Sequence, residues 1–303
     1  MRYRKLERLI AIGRTTYSEE IEKEAVLAGL KVAREGSFLV LESLVELLDV
    51  AKIRNQLTHS QIDLEVLWSV DSTNSHLIRE LGKPFEGYRV CLAEHQESGR
   101  GRRGRKWVSP FGRNLYISLA RMFPHSEKGL GGLSLAVGIQ LAKTLKQKKI
   151  DNLGLKWPND LLLDNGKLAG ILVEIGPVCG PYVYVVVGIG VNLELTREDS
   201  LQIEQPHADL RGVFEFSRNL LAGDIIQNVI SGLDMFSDVG FSAFIKEWDE
   251  HNLFRDKEVL IHMAESVVTG IDSGVDESGN LLLTTDAGLR SFNSGEVSLR
   301  GKI

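Results

Sequence analysis

Residues Gly99 to Trp107 read GRGRRGRKW, three glycines interleaved with four arginines and a lysine and closed by an indole. Such a stretch neither buries itself nor forms an ordinary helix, because glycine costs backbone entropy and each guanidinium needs water or an anion. It is expected to be mobile and to meet negative charge. Further on stand KWPND (Lys156 to Asp160) and GKLAGILVE (Gly166 to Glu174). Lys167 follows a turn beside the small residues Ala169 and Gly170, where an ammonium can reach a ligand that only glycine lets come close. In KWPND, Pro158 removes a backbone donor, so Asn159 and Asp160 sit at a strand irregularity next to the cation Lys156. Ser72, Thr73 and Asn74 offer two hydroxyls and an amide at a helix start, and Gln96 offers an amide at a strand end.

Each segment taken alone has a plainer reading. GRGRRGRK equally describes a solvated linker or an arginine-glycine contact to nucleic acid. An isolated PND is usually a turn whose Asn and Asp satisfy their own backbone, and Ser72 or Thr73 could be a helix cap. Asn192, after the GIG of Gly188 to Gly190, fits a ligand contact or a buried hydrogen bond, and Trp107 fits stacking or packing.

The elements that must hold these residues change along the chain. Up to about residue 60, LERLIAI, EEIEKEAVLAGL and ESLVELLDVAKIRNQL carry helical spacing, with KVAREGSFLVL a short hairpin around Glu35 and Gly36. From about Leu64, strands alternate with longer helices: YRVCLAEHQ enters the basic loop, NLYISLARMF leaves it, and GGLSLAVGIQLAKTLKQK is a long helix. LGLKWPNDLLLDNGKLAGILVEI makes two strands about the turn at Asn165 and Gly166, and YVYVVVGIGVNLEL is a central strand buried on both faces. After His251 only short alternating strands follow, the pattern of a small β-barrel. The expected class is α+β, with a central mixed or antiparallel sheet and flanking helices, in three domains at 1–62, 63–254 and 255–303.

With 303 residues, 43% apolar, and a net charge of −5, the chain reads as globular and not as a general nucleic-acid coat. The basic loop is a local device on an acidic protein. No run reaches the roughly eighteen apolar residues of a membrane span, and there is no signal-peptide pattern, so a cytoplasmic location is expected. Cys91 and Cys179, both in apolar runs, read as buried thiols, and the seven histidines show no ligand spacing.

Taken together, DSTN, EHQESGRGRRGRKW, FGRNLY, KWPNDLLL, GKLAGILVE and GIGVN stand in the order and spacing of bacterial biotin protein ligases, which the chain resembles from about Leu64 to Arg300. That family activates biotin with MgATP to biotinyl-5'-AMP and passes it to a lysine of a biotin carboxyl carrier protein. The resemblance implies a class II synthetase-like catalytic domain and a C-terminal Src-homology-3-like barrel, in which Arg300 is the most suggestive residue. It implies biotin contacts from Ser72, Thr73, Asn74, Gln96, Gly99, Arg100, Gly101, Arg102, Lys167 and Gly170. ATP contacts fall to Arg102, Arg105, Trp107, Lys156, Asn159, Asp160 and Asn192, with Asp160 the candidate for Mg²⁺ and Lys167 and Arg102 catalytic. A homodimer is also implied.

Two departures stand out. Bifunctional relatives carry an N-terminal winged helix-turn-helix; here IGRTTYSEEIEKEAVLAGLKV leaves little room for two helices, and the candidate recognition helix opens with Glu19, Glu20, Glu22 and Glu24. Weak or absent specific DNA binding is expected, although Arg2, Arg4, Lys5 and Arg8 keep the question open. At Gln205 to Asp209, where relatives commonly offer a Trp over adenine, this chain has His207. The competing readings are a lipoate-type ligase and a DNA-binding, biotin-responsive regulator.

Overall fold

The computed structural model describes residues 4–42, 45–81, 85–124, 129–213, 217–263, 266–294 and 298–301. Arg2 lies outside them, and so does the Arg300 side chain. The first elements are α1 (Glu7–Ile12), β1 (Arg14–Thr16), α2 (Glu19–Leu27), β2 (Val32–Glu35), β3 (Phe38–Leu41) and α3 (Val50–Arg54). Three of the strands form a sheet in the order β1-β3-β2, and a single helix separates β1 from the hairpin, as the shortened sequence requires. The long helix expected over 42–57 is a correction: only Val50–Arg54 is helical. Residues 45–49 take no regular structure because their polar groups are drawn to distant partners, Leu48 N–H to the Glu94 carboxylate and Asp49 N–H to Asn219 Oδ1. Ser43 and Leu44 lie outside the described residues.

The central part comprises β4 (Ile62–Leu67), α4 (Thr73–Glu80), β5 (Tyr88–Ala93), β6 (Leu115–Pro124), α5 (Leu133–Gln147), β7 (Leu153–Lys156), β8 (Asp160–Leu163), β9 (Gly166–Cys179), β10 (Tyr182–Val191), α6 (Arg197–Ser200), α7 (Arg218–Val239) and α8 (Ile245–His251). Seven strands lie in the order β4-β5-β6-β10-β9-β8-β7, mixed because β4 and β5 run parallel and the rest antiparallel. The segment 153–175, read as two strands, holds three; Pro158, lacking an N–H, separates β7 from β8. The β-branched run of β10 is the middle strand, as expected.

The two faces of this sheet differ. Val90 and Leu92 of β5, Ile117 and Leu119 of β6, and Val183, Val185 and Val187 of β10 point to a core capped by α5 and α7. On α7, Leu221, Ile225, Val229 and Leu233 recur at helical spacing and are all buried against it. The opposite face packs Cys91, Ala120, Tyr184 and Val186 under Leu77 and Leu81 of α4 and its C-cap. Farther along that second face the side chains dwindle, with Ser118 beside Gly188 beside Leu172, then Tyr116 beside Gly190 beside Gly170. A cleft opens where they end.

Beyond His251 lie β11 (Glu258–His262), β12 (Val267–Val275), β13 (Leu281–Thr285), β14 (Gly288–Phe292) and β15 (Ser298–Gly301), an antiparallel sheet in the order β14-β13-β12-β11-β15. It abuts the central part where Trp157 Nε1 donates to the Gly279 carbonyl at 3.1 Å. Arg300 pairs with Leu260 in this sheet. No helix among the described residues is long and apolar enough to cross a membrane.

Candidate functional site

Lys167 owes its position to a hairpin and a bulge. Asp164 and Asn165 both take positive φ, giving the two-residue turn that joins β8 to β9. Strict alternation would then aim Lys167 away from the face that Gly170 occupies. A register shift opposite Leu161 and Leu162 absorbs one residue, so Leu168 joins the core and Lys167 shares the cleft with Gly170. Its Nζ lies 2.7 Å from Asp160 Oδ1, both side chains being about 15% exposed, and 5.4 Å from the centroid of Trp107. The segment 206–208 is strapped to its backbone by Lys167 N–H to the Pro206 carbonyl and Ala208 N–H to the Lys167 carbonyl.

Polar side chains from α4, β6 and the loop after β5 form a continuous chain. Asp71 accepts from Ser72 N–H and from Arg79, and the Arg79 guanidinium, more than the backbone bond, holds its carboxyl below the usual range. Ser72 stands at the helix N-cap, buried, yet its side chain makes no capping bond, so the helix-cap reading does not account for it. Thr73 N–H and Oγ1 donate to Gln96 Oε1 at 3.0 and 3.2 Å; Gln96 Nε2 donates to Ser109 Oγ, which donates to the Trp107 carbonyl. Ser118 Oγ lies 2.7 Å from Thr73 Oγ1 and 2.6 Å from Asn74 Oδ1, its proton directed between them. Asn74 Nδ2 donates to the Leu172 carbonyl and to Glu174 Oε2. A buried hydrogen-bond network fixes amide orientations and presents a rigid polar surface.

The basic loop folds over this surface. Trp107 N–H bonds the Gly99 carbonyl, Gly101 N–H bonds the Arg105 carbonyl, and the tip turns through the left-handed Arg103 and Gly104. Arg100 pairs with Glu174 at 2.8 Å, and Arg102 donates to the Ser294 carbonyl of the C-terminal sheet. Burial weakens the hold of Arg102 on its proton, and Arg103 and Arg105 push the same way against Asp160; the guanidinium stays charged and so is a desolvated cation facing the cleft. Trp107 lies flat on glycine: a Cβ on Gly190 would come within 2.4 Å of its ring, and one on Gly170 within 3.0 Å.

Two concavities result, sharing Arg105, Lys106, Trp107, Lys167 and Gln205 as their common wall. One holds Ser72, Thr73, Asn74, Gln96, Arg100, Gly101, Arg102, Asn159, Asp160 and Gly170; the other holds Asn192 and His207. Gly99 stands behind the first, where a Cβ would meet the Trp107 carbonyl and Ser109 Oγ. Lys156 lines a third, smaller hollow beside Asn159 and Asp160. The side chains of Asn159 and Asn192 serve the backbone: Asn159 Nδ2 donates to the Ile171 carbonyl, and Asn192 Nδ2 to the Lys167 and Ala208 carbonyls.

The family signature covers the same ground. Residues 66–192 match the model of the biotin/lipoate A/B protein ligase family, and residues 256–300 match that of the biotin protein ligase C-terminal domain. The bifunctional ligase/repressor BirA of Salmonella typhimurium is 37% identical over 257 residues, covering 84% of this chain and 79% of its own. The chain belongs to the biotin protein ligase family. The biotin–[acetyl-CoA-carboxylase] ligase of Paracoccus denitrificans is 33% identical over 250 residues, 78% of this chain and 100% of its own. Among solved structures, the biotin protein ligase of Aquifex aeolicus in complex with biotin and ATP superposes with a TM-score of 0.67 at 29% identity, over 79% of this chain and 99% of that one.

This biotin protein ligase also differs from its sequence reading. Ser109, Ser118 and Glu174 belong to the polar network and were missed, since a loop serine, a strand serine and a strand glutamate carry no local signal. Cys91 is buried, which pushes its thiol up, but Cys179 is only half-buried at the end of β9. Outside the cleft, one candidate ligand atom from each of Glu65, His76 and Cys91 lies within 4.8 Å of the others, His76 Nε2 being 2.7 Å from Glu65, a grouping that sequence spacing does not show.

Proposed function

We propose that this ligase forms biotinyl-5'-AMP from biotin and MgATP and transfers the biotinyl group to a lysine of a biotin carboxyl carrier protein. The observation behind it is the pair of concavities with Lys167 and Trp107 in their shared wall, the shape needed by one acyl group and one nucleotide joined at a phosphate. Biotin takes the first, its ureido ring against the network of Ser72, Thr73, Asn74 and Gln96. The nucleotide takes the second, with Trp107 and His207 as its walls and Arg105 at the phosphates. A biotin carboxylate oxygen attacks the α-phosphorus and the bond to the β-phosphate breaks. Lys167 and Arg102 stabilise the charge that develops there. The carrier amine then attacks the acyl carbon, the acyl–oxygen bond breaks, AMP leaves, and the amine's proton passes to solvent. This step needs proximity and a shielded anhydride more than a catalytic base.

A resident Mg²⁺ fits the site poorly. Among the described residues lining the hollow that holds Arg102, Asp160 is the one carboxylate, and it already pairs with Lys167; Glu204, on the nucleotide side, is exposed. The ion therefore enters with ATP, mainly on phosphate oxygens and water. Three domains, at 1–62, 63–254 and 255–303, are part of this reading. So is a homodimer, favoured by β9, which beyond Ile171 pairs among the described strands only with β10 and exposes Ile175 and Val178. Specific DNA binding is not expected, since α2 bears Glu19, Glu20 and Glu22 in its first turn and Lys5 is paired with Glu20. Incubation with ATP, labelled biotin and a carrier domain tests the proposal. Labelling that is lost in Lys167→Ala and Arg102→Gly supports it; salt-sensitive DNA retention without labelling overturns it in favour of a regulator.

A further inference from the structure

Glu174 is a half-buried carboxylate that the reaction itself does not use. It lies on β9 opposite Val186, one row beyond Leu172 and Gly188, so alternation aims it at the α4 face and the rim of the cleft. One oxygen, Oε2, accepts two hydrogen bonds of 2.8 Å, from Arg100 Nη2 of the basic loop and from Asn74 Nδ2 of the recognition network. Asn74 is 3% exposed, and its carbonyl oxygen is held by Ser118. A shift of the Glu174 carboxylate therefore moves a flexible loop and a fixed amide together.

We propose that Glu174 is a positioning residue that latches the loop shut over the cleft and couples the latch to the amide of Asn74. The inference deepens the ligase reading and rests on it for its consequence, retention of the acyl-adenylate. The far end of the loop is tied to the same network, since Ser109 joins the Trp107 carbonyl to Gln96. At the near end a guanidinium–carboxylate bond, the stronger, charge-assisted kind, connects Arg100 to the sheet face. Arg102 and Arg105 line the cleft, Arg102 also donating to the Ser294 carbonyl.

The test uses the full chain and two variants. Glu174→Gln keeps an acceptor for Asn74 but loses the charge that holds Arg100; Glu174→Ala loses both. Without ligand, trypsin should cut the loop after Arg102, Arg103 or Arg105 roughly tenfold faster in Glu174→Gln than in wild type, the loss of about one charge-assisted hydrogen bond. Preformed biotinyl-adenylate should dissociate faster by a similar factor, with the biotin KM changed little in Glu174→Gln and raised in Glu174→Ala. A purely structural Glu174 would lower the thermal midpoint and leave the ratio of loop cleavage to global unfolding unchanged. Equal loop cleavage in wild type and Glu174→Gln overturns the latch whatever the reaction. Wild type that makes no adenylate, with faster cleavage in Glu174→Gln, overturns the ligase reading and leaves the latch standing.

Discussion

The central sheet builds a core on one face and a site on the other, out of the same strands. On β6, Leu119 and Ser118 are adjacent and both essentially unexposed; Leu119 enters the core under α5 and α7, whereas Ser118 bonds Thr73 and Asn74. On β10 the core face reads Val183, Val185, Val187, and the other reads Tyr184, Val186, Gly188, Gly190. The core face needs volume, because close-packed interiors lose stability with each missing methylene. The site face needs its absence, because a substrate and an indole must reach the backbone. Period-two alternation delivers both from one sequence.

Substitutions on the two faces should therefore fail in different ways. The largest effect is expected for Gly190→Val, whose Cβ would fall 2.4 Å from the Trp107 ring. The shared wall moves, and carrier labelling should drop about 100-fold or more with the thermal midpoint nearly kept. Leu119→Ala inverts that outcome, with a loss of about 2–5 kcal/mol in urea unfolding and labelling per folded molecule close to wild type. If both variants lost activity alone, the division between faces would be wrong. Ser118→Ala leaves Thr73 Oγ1 and Asn74 Oδ1 short of a donor and should raise the biotin KM about tenfold. Lipoate should gain nothing in exchange.

The smallest effect concerns the strap between the N-terminal elements and the sheet. Glu46 loses affinity for its proton despite burial, which alone would raise it, because Ser217, Asn219 and the Arg218 backbone N–H all donate to it. A carboxylate depressed on folding contributes stability that is fully present above the ordinary Glu value of about 4.3 and is lost as pH falls through its lower folded value. Urea midpoints followed from about pH 7 to about pH 3 should show that acid limb, and Glu46→Gln should flatten it. An unchanged limb would separate Glu46 from the strap.

Much of this was legible in the sequence because backbone rules write it there. The β-branched run of β10, the turn between β8 and β9, expected at Asn165 and Gly166 and found one residue earlier at Asp164 and Asn165, and the glycine at 170 each declare a local conformation, and the basic loop announces its charge. What stayed hidden depends on tertiary partners. Residues 45–49 have helical spacing but form no helix, since Glu46, Leu48 and Asp49 bond α7 and the residue after β5 across the fold. Ser118 and Glu174 look like any strand serine or surface glutamate until alternation and register place them on the cleft face. The bulge that turns Lys167 inward is likewise invisible in GKLAGILVE. Asn159 and Asn192 bond distant backbone carbonyls, of Ile171 and of Lys167 and Ala208, partners that no local pattern names.

The central claim is that Lys167, at the junction of two hollows, stabilises the charge formed when biotin displaces pyrophosphate. Single-turnover formation of biotinyl-adenylate, measured by rapid quench with labelled biotin and saturating MgATP, tests it most directly. Lys167→Ala should slow that step by about 100- to 1,000-fold while biotin still binds and the thermal midpoint stays near wild type. Adenylate formation at the wild-type rate in that variant would contradict the account.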